Sequence, residues 1–589
     1  MCGIAGLATN DGRAPSANAL AAMSETLAHR GPDGIGNYRV GDVAMMQRRL
    51  AIIDLVTGDQ PLYEPAGAAL VANGEIYNYI ELRAALDGAV FSTASDCETP
   101  LHIYRRKGIA YADDLRGMYA IALHDPGASR LVLSRDPFGI KPLYYAETPE
   151  GFAFASEPRA LIDGGIVDGA LVAQGRNELL QLQFTTGRKT IFAGIERLLP
   201  GETVVVSQGR VVERRRRAVL PEGESLSLPE EDALAEFDRI FEESVRIHQR
   251  SDVPYGMFLS GGTDSTAVLA MMARLNEHPV RAFTVGFSST EAADEREQAR
   301  TVAKALGAEH TEVEFREADF WVLLPEIAAA MDDPTADYAI LPTYKLAATA
   351  HAAGLKVILS GEGGDELFAG YGRYRSVLRP WWAGGRVPRR RGNLDGLGLL
   401  KTELAGWRDG IAAAEAREAR PGRTALQQAQ AVDCADWLPN DLLGKLDRCL
   451  MAHGVEGRTP FLDPAVAAFA FRLPDGLKIR QRLGKWLLRR WVGQKVPATA
   501  AFARKQGFTV PVGEWIERRG ATLGPLVADQ ACIQEICEPG AVAKLFSHAR
   551  ARRLGFAAWT LLFYALWHRH HIRRRPIAGD VFAALADRG

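Results

Sequence analysis

Two stretches of the sequence carry residue types and spacings that could do chemistry. The first is Leu259-Ser260-Gly261-Gly262-Thr263-Asp264-Ser265, set between a short apolar run at 255–259 and an apolar helical pattern at 266–275. Paired glycines let the backbone approach an anion closely. The first amides of the following helix lack intrahelical partners, and the helix dipole favours negative charge at the turn. Ser260 and Ser265 add hydroxyl donors, and Asp264 suits Mg²⁺, which binds phosphate oxygens together with one or two carboxylates. No lysine follows the glycines and no GxxxxGK[ST] occurs, so a nucleotide chemistry other than that of the P-loop is expected. The plain competing reading is a strand-to-helix turn with a capping serine.

The second is Cys2, which follows only the initiator methionine. Removal of that methionine would leave a thiol and a free α-amine on one residue, so the nucleophile would carry its own base. Such an amine titrates near about 7.7–8.0 in reference peptides. Taken alone, a cysteine here is more often a small buried hydrophobe.

These residues need a scaffold, and the chain is long enough for several domains: 589 residues, 47% hydrophobic and 24% charged, with a formal net charge of −2. That balance implies neither nucleic acid nor membrane as a partner. Short arginine runs at 214–217, 389–391 and 573–575 are scattered and lack interleaved aromatic platforms, so they read as solvated or paired surface. Six cysteines without CxxC spacing suggest reduced thiols. With no signal-like or membrane-spanning segment, the expected location is the cytoplasm. Strand-like runs at 43–46, 69–72, 119–124, 130–134 and 142–146, with helical patterns at 17–29 and 79–86, predict an α+β front half over 1–209. Residues 210–229 read as a linker. Apolar strands at 255–259, 281–287 and 356–360 between amphipathic helices predict a parallel α/β domain over 230–515, followed by a helical extension over 516–589. Beyond 379 strands largely disappear from the pattern, and 383–398 reads as a Gly/Pro/Arg-rich loop.

In the front half, MCGIAG, HRGPDG at 29–34, RRLAIIDL at 48–55, NGEIYN at 73–78 and SDCE at 95–98 occur together and in order. This set resembles the N-terminal-nucleophile glutamine amidotransferases. The resemblance implies a four-layer α/β/β/α sandwich and attack by Cys2 on the glutamine side-chain amide, forming a thioester and releasing ammonia. It places the substrate α-carboxylate on Arg49, a task suited to a forked guanidinium, and the α-ammonium on Asp96. Asn73 and Gly74 would donate to the oxyanion, with Glu75 in the same glutamine-binding loop. Any Asn-Gly pair also reads as a hairpin turn. Gln47-Arg48 stands where the family often has a histidine beside the arginine.

In the back half, VILSGEGGDELFAGY at 357–371, AHGVEGRTPFLD at 452–463 and KWLLRR at 485–490 join the first loop. Together they resemble the synthetase domain of glutamine-hydrolysing asparagine synthetases, an ATP pyrophosphatase-type fold. Ser360-Gly361-Glu362-Gly363-Gly364-Asp365 should form a second strand-end loop facing the first, where open α/β sheets bind ligands. Asp264 and Asp365 would then flank Mg²⁺. The resemblance puts the ATP adenosine near Leu259, Val285, Ser360 and Gly361, and its phosphates on Ser260, Gly261, Gly262 and Ser265. It gives Glu362 a role at the acyl-adenylate and Lys485 one at the transferring phosphoryl group, the competing reading of Lys485 being a solvated helix-face lysine. Thr263 and Gly364 depart from the family pattern, which has an aliphatic residue and a serine there.

The expected activity is ATP-dependent conversion of aspartate to asparagine, with ammonia from glutamine and a β-aspartyl-AMP intermediate. Glutamine, aspartate and ATP are the expected partners, with a homodimer as a possible assembly. The competing readings are amidation of another carboxylate and a catalytically silent family member.

Overall fold

The computed structural model describes residues 2–222, 225–288, 290, 294–379, 382, 385, 389–503, 509–576 and 579–587. Residues 383–384 and 386–388 of the expected Gly/Pro/Arg-rich loop lie outside the described residues.

The front half is built on two antiparallel sheets. The first runs in the order Glu196–Arg197, Tyr144–Thr148, Gly151–Ala155, Gly3–Thr9, Val43–Arg49, Gly34–Val40. The second runs Arg210–Arg216, Glu202–Ser207, Arg130–Arg135, Gly117–Asp125, Ala69–Ile76, Leu62–Tyr63. Ile4, Met45, Val71, Ala120, Leu133 and Phe154 fill the space between them. Successive residues of a strand point to opposite faces, so Ala5 and Leu7 lie on the outer side of the first sheet, under the helix Ala17–Thr26 with Leu20 and Met23. The second sheet is covered by the helix Thr99–Lys107 through Leu101 and Ile103. Helix, sheet, sheet, helix is the four-layer sandwich expected of an N-terminal-nucleophile hydrolase. Both faces of its central strands are buried, which is why they read as nearly continuous apolar runs.

The arginine run placed with the linker belongs instead to a strand, since Arg210–Arg216 pairs along Glu202–Ser207. Its charges are matched locally: Arg215 binds Asp113 and Arg214 faces Glu202. A strand at a sheet edge with charged side chains reads in sequence like a loop.

The back half holds a five-stranded parallel sheet in the order Glu309–Phe315, Arg281–Phe287, Tyr255–Phe258, Val357–Leu359, Glu456–Arg458. Both edge strands escaped the sequence reading. Glu309–Phe315 opens on the polar run Glu309-His310-Thr311-Glu312 and holds only Val313 and Phe315 as apolar residues, and Glu456–Arg458 is held by buried charge pairing that no hydrophobic pattern reveals. Helices carry the rest, ending in Arg552–His571, whose Trp559, Phe563 and Trp567 share one core with Phe320, Trp515 and the front half's Leu20 and Phe192. All six cysteines are free and buried. Among the described residues no helix is long and apolar enough to cross a membrane.

A charge cluster also locks the halves together. Arg30, fully enclosed, donates to Asp447 (2.8 and 3.0 Å), Glu157 (2.7 Å) and the carbonyl of Cys2 (3.2 Å). Burial alone would raise the Asp447 carboxyl, but Arg30 holds it below the usual carboxylate range. Breaking such a group from one side leaves uncompensated buried charge. Arg30→Met is expected to destabilise the protein by about 3–5 kcal/mol, seen as a lower melting temperature in scanning calorimetry. An unchanged melting temperature would show that the cluster contributes no net stability.

Candidate active site

The front site forms where Gly3–Thr9, Val43–Arg49 and Ala69–Ile76 come together. Cys2 is buried, and its backbone N–H donates to Asn73 Oδ1 at 3.1 Å. Asn73 Nδ2 is left buried, with no protein hydrogen-bond partner among the described residues. Burial raises the Cys2 thiol pKa, opposed by a hydrogen bond from the Leu50 backbone and by the Arg49 charge.

Asn73 and Gly74 do not form a hairpin turn. They lie inside a strand, opposite Ala120 and Tyr119. Glycine is required there by space, because a Cβ would stand 2.1 Å from the Met118 carbonyl oxygen. Arg49 closes its strand by donating to Asp59 (2.6 Å) and to the Asp54 carbonyl (2.6 Å), which ties down the loop that follows. The Asp96 carboxylate accepts from the Ile76 N–H at 2.6 Å, and burial raises its pKa. Glu75 is pushed well above the ordinary carboxylate range by burial, then by Asp96 and Glu456, with Arg458 opposing. Cys2, Arg49, Asn73, Gly74, Glu75 and Asp96 thus fall in one neighbourhood.

The back site sits at the ends of adjacent parallel strands. Gly262 caps the helix Thr263–Leu275, and the Ser260 and Ser265 hydroxyls hydrogen-bond each other at 3.1 Å, fixing the turn. Leu259 N–H donates to Phe283 O (2.8 Å) and Thr284 Oγ1 to Leu259 O, so the turn is anchored to the strand that carries the buried Val285. The second loop packs directly on the first: a Cβ at Gly361 would lie 2.9 Å from both Asp264 Cβ and Ser265 N. A Cβ at Gly364 would lie 2.6 Å from Asp264 Cγ. The glycine that departs from the family's serine is therefore what admits the Asp264 carboxylate in this position.

Lys485 is no solvated helix-face lysine. It is 3% exposed, caps the helix Trp486–Lys495 with φ +60°, and binds both Asp264 and Asp365, the latter at 2.6 Å. Burial opposes its charge, yet the two carboxylates raise its pKa. Glu362 has its carboxyl raised by burial, with Lys445 opposing. Two carboxylates at the mouth of an anion-cradling turn are the share of ligands Mg²⁺ commonly takes from a protein, so the donor set fits that ion.

Sequence reasoning missed the residues joining the sites. Ser360 N–H donates to the Arg458 carbonyl (2.8 Å), while the Arg458 side chain pairs with Glu456 (2.5 Å) and reaches Glu75 (3.6 Å). Arg458 and Arg30 both lay within recognised motifs, EGRTPFLD and HRGPDG, but neither motif announces a contact between halves.

Paired loops for a nucleotide beside an N-terminal thiol site define a ligase class that draws its nitrogen from glutamine. Residues 1–216 match the glutamine amidotransferase domain family and residues 236–569 the asparagine synthase family. The chain belongs to the asparagine synthase family. It is 31% identical to asparagine synthetase [glutamine-hydrolyzing] 1 of Bacillus subtilis, over 98% of each chain. A Mycobacterium tuberculosis protein provisionally named as a glutamine-hydrolysing asparagine synthetase is 35% identical over 96% of this chain and 97% of its own. Amidase chyE of Penicillium rubens is 31% identical over 64% of this chain and 60% of its own.

The space around Gly74 can be tested. Gly74→Ala should destabilise by about 1–3 kcal/mol through overpacking and lower glutamine hydrolysis by displacing Asn73 from Cys2. Gly476→Ala, where no atom lies within 4 Å of the added Cβ, serves as a silent control. Equal melting temperatures and equal glutaminase rates for the two variants would contradict the crowding described.

Proposed function

We propose that this enzyme makes asparagine from aspartate, glutamine and ATP. After loss of Met1, the Cys2 amine takes the thiol proton and the thiolate attacks the glutamine amide carbon. Ammonia leaves, and water then releases glutamate from the thioester. Arg49 and Asp96 would hold the substrate's charged ends, while Asn73 Nδ2 and the Gly74 N–H stabilise the oxyanion. The unpaired, buried Asn73 amide supports that role.

In the back half, the aspartate side-chain carboxylate attacks the α-phosphorus of ATP and pyrophosphate leaves. Ammonia, kept from water and so unprotonated, then attacks the acyl carbon, and AMP departs with loss of a proton. Leu259, Val285, Ser360 and Gly361 would border the adenosine, and Ser260, Gly261, Gly262 and Ser265 the phosphates. Asp264 and Asp365 would hold Mg²⁺, which offsets charge on the leaving pyrophosphate. Lys485 would stabilise the transferring phosphoryl group, and Glu362 would act at the adenylate.

The observation that carries the reading is the convergence of both strand-end loops on Lys485, in a chain whose Cys2 N–H is held by Asn73. The family's dependence on ATP supports it. We place glutaminase work in residues 1–209 and adenylation in 230–515, with 516–589 as a helical extension and the cytoplasm as the location. A second reading, amidation of another carboxylate, is favoured by the Thr263 and Gly364 departures.

Purified protein with glutamine, ATP and Mg²⁺ should release AMP when aspartate is added. Absence of AMP would end the aspartate assignment, and a stronger response to another carboxylate would favour the second reading. Cys2→Ala should abolish glutamine-dependent product and keep ammonia-dependent product. Unchanged use of glutamine would remove Cys2 from the reaction.

A further inference from the structure

A face of charged residues adjoins the second loop and has no role so far. Asp433, Trp437, Asp441 and Lys445 recur every four residues along a π-helical stretch, Asp433–Leu442, that continues into the α-helix Leu443–Met451. Long π-helical turns are rare and concentrate at functional sites. Two of these groups are fully engaged by protein. The Asp433 carboxylate takes Arg373, Arg389 and the Tyr374 hydroxyl, and Asp441 takes Thr335 and Trp437 Nε1.

Lys445 differs. Its ammonium has three N–H donors, and among the described residues its one hydrogen bond goes to Asp337 Oδ2 at 2.9 Å. Lys445 is buried, whereas Asp337, on the loop before the helix Ile340–Ala352, is partly open. Both act electrostatically on Glu362. Asp264 and Asp365 already bind Lys485, whereas Asp337 is partly open and has Lys445 as its one ion-pair partner among the described residues, so a cationic group on the ligand is favoured beside Asp337.

We infer that Lys445 and Asp337 bind the α-carboxylate and α-ammonium of the acceptor, an α-amino dicarboxylic acid, and so present its side-chain carboxylate at the Glu362 end of the loop. The pairing is an exchange. Each protein charge gives up its present partner for the ligand's opposite charge, and no buried charge is left unmatched. An acceptor missing either group would strand one of them, which is the situation in which polar sites discriminate most strongly. This inference rests on the aspartate reading proposed above.

The test compares aspartate with β-alanine, which lacks the α-carboxylate, and succinate, which lacks the α-amine, by AMP release with ATP and ammonia. Wild type should prefer aspartate to both. Lys445→Met should raise the aspartate KM by about tenfold or more and shrink the preference over β-alanine, leaving that over succinate. Asp337→Asn should do the reverse, and Lys445→Arg should restore part of the aspartate KM. Glutamine hydrolysis at Cys2 and the KM for ATP should stay within about twofold, reporting an intact fold. If wild type releases no AMP with aspartate, the underlying reading fails. If wild type responds but both variants keep the aspartate KM, or lose aspartate, ATP and glutamine use together, the pair is structural and the inference is overturned.

Discussion

The two sites depend on one enclosed guanidinium. Arg458 pairs with Glu456 on its own strand, donates to the carbonyls of His248 and Arg250, faces Glu75 of the front half, and offers its carbonyl to Ser360 of the second nucleotide loop. Burying that much charge is expensive unless every partner is in place. The geometry of both sites is therefore specified together: a shift of the front sandwich against the parallel sheet would leave Arg458 or Glu75 unmatched. The Arg30 cluster does the same work at a second point, so the contact between halves is fixed by charge as well as by apolar area.

Much of the scaffold was legible in the sequence because apolar periodicity is a strong signal. The central strands, the helix at 17–26 and the three inner parallel strands follow from it. The edge strands do not. Arg210–Arg216 and Glu456–Arg458 carry charge where a pattern expects apolar residues, and only their neighbours explain them. Asn73-Gly74 misled in a different way: its turn preference is local, whereas the close approach of the Met118 carbonyl that demands a glycine in mid-strand comes from 40-odd residues away in the chain, about the reach of a nonlocal strand pairing.

Chemistry-bearing residues were legible where short motifs compress them, as in Ser260–Ser265, Ser360–Asp365 and the set around Cys2. The structure brings each set together. What the sequence hid was the state of each group. The resemblance placed Lys485 at the transferring phosphoryl group, but nothing in the sequence showed its enclosure between Asp264 and Asp365. The four-residue period from Asp433 to Lys445 was present in the letters, but a mixed row of acid, tryptophan and lysine matches no familiar amphipathic pattern. Its meaning depends on Asp337 and Glu362, which lie on other elements.

The strand Glu456–Arg458 is a buried edge of the parallel sheet, and its two charged side chains occupy alternate positions on one face. Such inward charge makes an edge a poor template for a foreign strand. It also ties the edge to the front half, since Arg458 reaches Glu75 at 3.6 Å while pairing with Glu456 on its own strand. The edge of the parallel sheet is thereby keyed to the front sandwich through three residues, Glu75, Glu456 and Arg458.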